Sequence, residues 1–307
     1  MRVCTVDIGT NSVRALVADV GEAGQVQVVH REGYITRLGQ RLSRFGFLNE
    51  AAIERTAKAV KKIVAKARSL HTDRFKIVAT SAARHASNSD HLKDRIRSFT
   101  SLETEILTGV EEARYVCEGA LTSLEVTGKQ VLMADVGGGS TELIFACQGE
   151  EPVLRSVSVG AVEITERFFR HDPPLGVELT RALEHARTLL KETYDELPSG
   201  GEELIGLGGT ITTIPPILME MEEYDPSRVH NYVVTSEEVE SVFDRLASLP
   251  LWNRVDVKGL EPARADIIVG GLVIVEALLE VTGFEKIRVS DRGILFGLAM
   301  SVRSQEA

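Results

Sequence analysis

Short apolar runs, each ended by glycine or by small hydroxylated residues, recur along the chain, and their spacing predicts alternating strands and helices. Residues 131–134 form one such run, which meets Asp135, passes through Gly137, Gly138, Gly139, Ser140, Thr141 and Glu142, and resumes as a second apolar run. The pattern predicts strand, glycine-rich turn, strand over 131–145. The N-terminus repeats it. Residues 6–13 align without a gap on residues 134–141, setting Asp7 against Asp135, Gly9 against Gly137 and Ser12 against Ser140. One Asp-x-Gly turn is commonplace. Two in register within one chain form an internal repeat, and a repeat governs the reading of the whole fold.

Around these turns the same periodicities supply the other elements. Strands are predicted over 3–20 and 26–32, broken at 21–24. Residues 33–46 read as a loop carrying Arg37, Arg41 and Arg44, with Arg31 just before it, either solvated or meeting a long polyanion. Asn49 is an N-cap candidate for a helix over 50–70. Its Arg55, Lys58, Lys62 and Lys66 share one face, read as a solvated stripe ahead of a substrate rail. A strand over 75–79 ends in Thr80, Ser81, Ala82, Ala83 and Arg84, followed by a helix over 89–99 and a strand over 104–107. Thr108-Gly109 is a break, and a helix begins at Val110 with Glu111 and Glu112 in its first turn. Beyond the second repeat lie a strand over 153–159, a helix from 160 to 169, a loop at Pro173-Pro174 and a helix over 180–197. Residues 204–213 make a third strand-to-glycine turn, with Gly208, Gly209 and Thr210 but no acid. Helices over 236–246 and 262–281, a strand over 286–289 and a last helix over 294–302 complete the pattern.

The turns suggest a chemistry. Glycine admits positive φ and close backbone approach, and turn amides with nearby hydroxyls can line a concavity for anionic oxygens. Asp135 at the mouth of that concavity would repel a bare phosphate, so it points to a held divalent cation or an oriented water. The turn at Gly208 suits either a phosphate at backbone amides or tight strand–helix packing. Glu111 and Glu112 point about 100° apart, so at most one faces a cleft. Both also fit the positive end of a helix dipole, and the two readings stand together.

Composition narrows the classes. A chain of 307 residues with 43% hydrophobic and 26% charged content suits a soluble protein of two cored domains. A net charge of -10 argues against broad nucleic-acid or membrane binding. Cys4, Cys117 and Cys147 are too scattered for a disulfide framework or a thiolate metal site, and the seven histidines form no ligand pattern. With no apolar run long enough for a membrane span and an N-terminus unlike a signal peptide, the expected location is the cytoplasm.

Taken together, the ordered set of motifs resembles the exopolyphosphatase/guanosine pentaphosphate phosphohydrolase (Ppx/GppA) family. It comprises Asp-x-Gly-Thr-Asn-Ser from Asp7, Ala-Thr-Ser-Ala-x-Arg ending at Arg84, and Gly-x-Glu-Glu-Ala-Arg from Gly109. Asp-x-Gly-Gly-Gly-Ser-Thr-Glu from Asp135, Gly-Gly-Thr-x-Thr-Thr from Gly208 and Arg-Ala-Asp-x-x-x-x-Gly from Arg264 follow. The resemblance covers essentially the whole chain. It implies a two-domain α/β fold of the actin/sugar-kinase/Hsp70 (ASKHA, ribonuclease H-like) class, with a duplicated βββαβα core and an interdomain active site. The domains are expected at 1–120 and 121–289, with 290–307 packing back on the first.

Residue by residue, the resemblance makes Glu112 the general base and Arg84 a cation facing phosphate. It makes Gly9, Thr10, Asn11 and Ser12, then Gly137, Gly138, Gly139, Ser140 and Thr141, two phosphate loops, and Gly208, Gly209 and Thr210 a third. Asp135 and Glu142 are the implied Mg²⁺ ligands, and Asp7, opposite Asp135 in the repeat, joins them as a metal candidate. The implied reaction is Mg²⁺-dependent release of terminal phosphate from polyphosphate, or conversion of pppGpp to ppGpp. Longer members carry a further C-terminal helical portion associated with gripping long polyphosphate, so short chains are favoured here. A phosphotransferase on the same fold and a low-turnover polyphosphate- or alarmone-binding regulator are the alternative readings. A homodimer is compatible with the resemblance.

Overall fold

The computed structural model describes residues 1–22, 24–122, 124, 129–147 and 150–304, the side chains of residues 303 and 304 excepted. Contacts divide the chain into two compact units, Met1–Ser123 with Arg292–Ala307, and Leu124–Asp291.

The N-terminal unit is built on a five-stranded sheet of β1 (Arg2–Ile8), β2 (Ser12–Val20), β3 (Val26–Ile35), β4 (Arg74–Ala79) and β5 (Glu105–Ile106). Their order is β3-β2-β1-β4-β5. The first three strands form an antiparallel meander, and β4 and β5 are added in parallel. Alternation along β1 and β2 assigns the faces. Cys4, Val6, Ile8, Val13, Ala15 and Val17 join a core under helices Glu50–Ser69 and Ser89–Thr100. On the other face Val3, Leu16, Ala18 and Val20 meet Phe296 and Ala299 of the last helix, Ile294–Ser304. That helix lies against helix Gly109–Leu121 so closely that a Cβ on Gly119 would strike Gly293 and one on Gly297 would strike Tyr115.

The second unit repeats the plan. Its strands are β6 (Gln130–Val136), β7 (Thr141–Cys147), β8 (Val153–Val157), β9 (Glu203–Leu207), β10 (Val233–Thr235) and β11 (Lys286–Val289). Read from β8, the order β8-β7-β6-β9-β11 matches that of the first sheet, with β10 added antiparallel at the edge. The repeated strand order, a meander followed by two parallel strands, is the duplicated βββαβα plan of the ASKHA class. The apolar helix Ile268–Thr282 fills the core against Ala161–Phe168, Gly176–Tyr194 and Ser236–Ser248. Arg254, buried, donates to the carbonyls of Leu246, Leu249 and Ala265 and to Asp172 at 2.6–3.2 Å, which fixes the segment leading into that helix.

Several boundaries depart from the sequence pattern. The segment read as a helix over 262–281 is a 3-10 turn at Pro262–Arg264, and the α-helix starts only at Ile268. The helix expected over 180–197 starts earlier, at Gly176, where Glu178 accepts from the amides of Leu175 and Arg170. Strand β10 and the one-turn helices Leu42–Phe45, Ile214–Leu218, Pro226–Val229 and Leu251–Arg254 were not legible, being shorter than the window that reveals a period. Among the described residues no helix is long and apolar enough to cross a membrane.

One half-buried acid on the core helix is strongly perturbed. Burial, then repulsion from Glu240, Glu280 and Asp244, pushes the Glu276 carboxyl up to about 7. Glu240 and Asp244 belong to the facing helix Ser236–Ser248, while Glu280 shares the helix of Glu276 and pairs with Arg187. A folded-state value above the unfolded one means that stability falls as pH rises from about 4.5 through 7, the penalty being complete above that. Glu276→Gln should therefore raise the melting temperature at pH 8 and leave it nearly unchanged at pH 5. Equal shifts at both pH values would refute the assignment.

Candidate active site

The catalytic and phosphate-loop candidates of the N-terminal unit lie at or just beyond the carboxyl ends of β1, β4 and β5, where open α/β sheets bind ligands. Gly9–Asn11 follow β1, Thr80–Arg84 follow β4, and Leu107–Glu112 follow β5. The first turn closes through Gly9 N donating to Ser12 O at 2.9 Å. A strap formed by residues 36–39 backs it, the amides of Thr36 and Arg37 donating to Asn11 O and that of Gly39 to Thr10 O. Arg37 takes φ 49° to do so. Thr10 and Asn11 are buried, and Thr10 Oγ1 and Asn11 Nδ2 have no hydrogen-bond partner among the described residues. Buried donors without acceptors are costly, and a phosphate oxygen would satisfy both.

Glu111 and Glu112 separate cleanly. Thr108 caps the helix, and Glu111 closes the capping box by accepting from Thr108 N and Oγ1, each at 2.8 Å. Those hydrogen bonds, the backbone one foremost, lower the Glu111 carboxyl below its usual range. Glu112 instead turns to Arg84, whose Nη1 donates to Glu112 Oε2 at 3.0 Å and to Leu107 O at 2.9 Å. Both side chains are mostly buried, at 19% and 13% exposure. Thus Glu111 is committed to the helix end, and Glu112 is the acid held at the strand ends by a cation.

The second unit shows the repeated turn with a different charge pattern. Gly137 N donates to Ser140 O at 3.0 Å, as in the first turn. The carbonyls of Gly137 and Gly138 accept from Ala161 N and Val162 N, which pins the loop to the start of the next helix. Thr141 is fully buried and donates from Oγ1 to Val159 O at 2.7 Å, bracing the strand end. Asp135 and Glu142 are direct cross-strand partners, so their side chains share one face of the sheet. Ser156 Oγ donates to Glu142 Oε1 at 2.8 Å.

In the first unit the equivalent pair is Asp7 and Arg14, because the alignment that sets Asp7 on Asp135 also sets Arg14 on Glu142. Arg14 Nη2 donates to Asp7 Oδ2 at 3.1 Å. Burial pushes the Asp7 carboxyl up, and the Arg14 guanidinium pulls the other way. One unit therefore faces acid with base, the other acid with acid. Two hard carboxylates on one face fit a small divalent cation that completes its shell with water and phosphate oxygens. Among the described residues no group of three or more His, Cys, Asp or Glu forms a fuller cage.

The third turn lies beside this pair. Gly208 directly follows β9 at φ +87°, and a Cβ there would come within 2.5 Å of Asp135 Oδ1 and strike Val136 O. Asp135 thus lies against the Gly208 backbone. A Cβ on Gly209 would strike the guanidinium of Arg264, whose Nε donates to Glu261 at 2.8 Å. The sequence pattern places Arg264 in a motif without a role and does not single out Arg14. The fold puts the first over the third turn and the second on Asp7. The stripe of Arg55, Lys58, Lys62 and Lys66 is exposed, with Arg55 donating to Thr36 O and Lys58 pairing with Glu54.

The profile of the Ppx/GppA phosphatase family matches residues 16–306. The chain is 34% identical to exopolyphosphatase 2 of Mycobacterium tuberculosis over 316 aligned positions, covering 98% of each. It is 26% identical to a guanosine-5'-triphosphate,3'-diphosphate pyrophosphatase of Pseudoalteromonas translucida, covering 97% of this chain and 58% of that one. Among solved structures, the Aquifex aeolicus member of the Ppx/GppA family superposes with a TM-score of 0.83 at 32% identity, covering 100% of this chain and 98% of the other.

Proposed function

This chain belongs to the Ppx/GppA phosphatase family, and we propose that within it the protein is a Mg²⁺-dependent, cytoplasmic exopolyphosphatase releasing terminal orthophosphate from polyphosphate. The single observation that carries this reading is the sorting of two adjacent acids, Glu111 into the helix cap and Glu112 onto Arg84 at 3.0 Å. A purely binding protein has no use for an oriented carboxylate base.

Hydrolysis of a terminal phosphoanhydride requires an aligned water, a base for its proton and positive charge for the equatorial oxygens. Glu112 takes the proton of a water about 3 Å from its carboxylate in the productive pose. Arg84 orients that carboxylate and adds positive charge. Thr10 Oγ1 and Asn11 Nδ2 donate to phosphate oxygens at the first turn. Gly137–Ser140 and Gly208–Thr210 offer amides and hydroxyls at the other two, with Arg264 as a further cation. Asp135 and Glu142 would hold the cation, which neutralises phosphate charge when bound. Asp7, engaged by Arg14, keeps the first turn in register.

Polyphosphate is favoured over pppGpp because the relative named for polyphosphate is 34% identical and the one named for the guanosine nucleotide 26%. Conversion of pppGpp to ppGpp is the second reading, resting on the latter. The deciding experiment measures phosphate release with Mg²⁺ from short polyphosphate, long polyphosphate, pppGpp and ATP. Release from polyphosphate above the nucleotides is expected. No release from any of them, with transfer to ADP or GDP instead, would replace the hydrolase by a phosphotransferase. Binding without turnover would replace it by a regulator.

A further inference from the structure

Asp135 and Glu142 belong to a longer row of side chains. Asp135 on β6 is the cross-strand partner of Glu142 on β7, and Glu142 is in turn the partner of Ser156 on β8. Directly opposed residues of an antiparallel sheet project from the same face. The three side chains therefore stand in line across three strands, with Glu142 in the middle and Ser156 on the edge strand. Ser156 Oγ donates to Glu142 Oε1 at 2.8 Å. Ser156 is exposed, whereas Glu142 is buried at 1% exposure. A hydroxyl that water can reach is thus turned inward onto a carboxylate that water scarcely touches.

The first unit is built differently at the equivalent place. Its row on β1, β2 and β3 is Asp7, Arg14 and Gly33. There the middle residue is a cation that donates to its aspartate at 3.1 Å, and the outer position has no side chain. Lack of room is not the reason. A Cβ on Gly33 would make only ordinary contacts, 3.6 Å from Val13 O and 3.8 Å from Arg14 Cγ. The outer hydroxyl accompanies the row in which two acids face each other. Neighbouring carboxylates repel, so the longer one needs a donor to keep it from swinging away. A hydrogen bond to one oxygen of a metal-binding carboxylate restricts the rotation of the group, and with it the direction of the other oxygen.

We propose that Ser156 is a positioning residue for the divalent cation, its hydroxyl fixing Glu142 Oε1 so that the carboxylate keeps its place beside Asp135. This role rests on the reading of Asp135 and Glu142 as cation ligands, and adds to them a residue that itself touches neither cation nor substrate.

The test is a titration with Mn²⁺ alone, a paramagnetic substitute for Mg²⁺, followed by electron paramagnetic resonance on the wild type, Ser156→Ala and Ser156→Thr. Each protein is also melted, and assayed for phosphate release from polyphosphate across a range of Mg²⁺. Ser156→Ala should weaken Mn²⁺ binding on the order of ten-fold, as loss of a hydrogen bond to a metal ligand does. Its Mg²⁺ requirement should rise by a similar factor, with kcat recovered at saturating Mg²⁺. Ser156→Thr keeps the hydroxyl and should restore Mn²⁺ binding. Unchanged Mn²⁺ binding in Ser156→Ala, an equal loss in Ser156→Thr, or a wild type without Mn²⁺ affinity would overturn the role. So would a lower melting temperature in Ser156→Ala with Mn²⁺ binding intact, the mark of a merely structural bond. Weakened Mn²⁺ binding confined to Ser156→Ala, in a protein that releases no phosphate, would sink the hydrolase and leave the role of Ser156 standing.

Discussion

Glu112→Gln should lower turnover of polyphosphate by about 10²- to 10⁴-fold, the range a positioned general base contributes. The substitution preserves volume and leaves an amide oxygen to accept from Arg84, so binding should persist with Kd within about three-fold, removal of the base being a loss in the transition state only. Glu111→Gln is the internal control. It sits one residue away with the same chemistry, but its carboxylate closes the capping box on Thr108. Its loss should cost a fraction of the ~1 kcal/mol typical of a cap and leave turnover near wild type. Phosphate release and a melting curve on both variants check the assignment. Near-wild-type release by the Glu112 variant, or a collapse in the Glu111 variant without loss of fold, would reverse the two roles.

The contrast between these glutamates also marks how far the sequence could be read. The residue pattern alone leaves their roles open, because both fit a helix dipole, and it is the family resemblance that assigns Glu112. Yet Thr108-Gly109-Val110-Glu111 is itself a Thr-x-x-Glu capping signature, a local pattern sufficient to commit Glu111 to the helix end. The duplicated turn was legible because it combines glycine spacing with flanking apolar runs, and the two closing hydrogen bonds, Gly9 N to Ser12 O and Gly137 N to Ser140 O, bear out the alignment. The same alignment held a further fact, the exchange of Glu142 for Arg14, which acquires meaning only when strand register makes each the partner of an aspartate. Arg264 over Gly209 was beyond reach. It joins residues far apart in sequence through tertiary packing, and no local period encodes such a meeting.

Asp135→Asn should shift the activating Mg²⁺ concentration upward by at least about ten-fold, since one of two anionic oxygen donors becomes a neutral amide. The acid–acid pairing argues for this. Asp135 and Glu142 face each other across the strand pair, whereas Asp7 already has Arg14 at 3.1 Å. Asp7→Asn should accordingly move the metal titration less than Asp135→Asn, although it removes the aspartate at the equivalent repeat position. Gly208→Ala supplies an independent route to the same site. A methyl group there would demand φ +87° of an L-residue, at a cost of roughly 1–2 kcal/mol, and would meet Asp135 Oδ1 at 2.5 Å. The carboxylate must move, so the Gly208 variant should reproduce the Mg²⁺ shift of Asp135→Asn with an added loss of stability. Titrating phosphate release against Mg²⁺ in all three variants separates the outcomes. A titration unchanged in the Asp135 variant removes it as a ligand. A shift in the Asp7 variant as large as in the Asp135 variant would place the cation's protein ligands in the first unit as well, making the Arg14 pair a resting arrangement that metal and substrate displace.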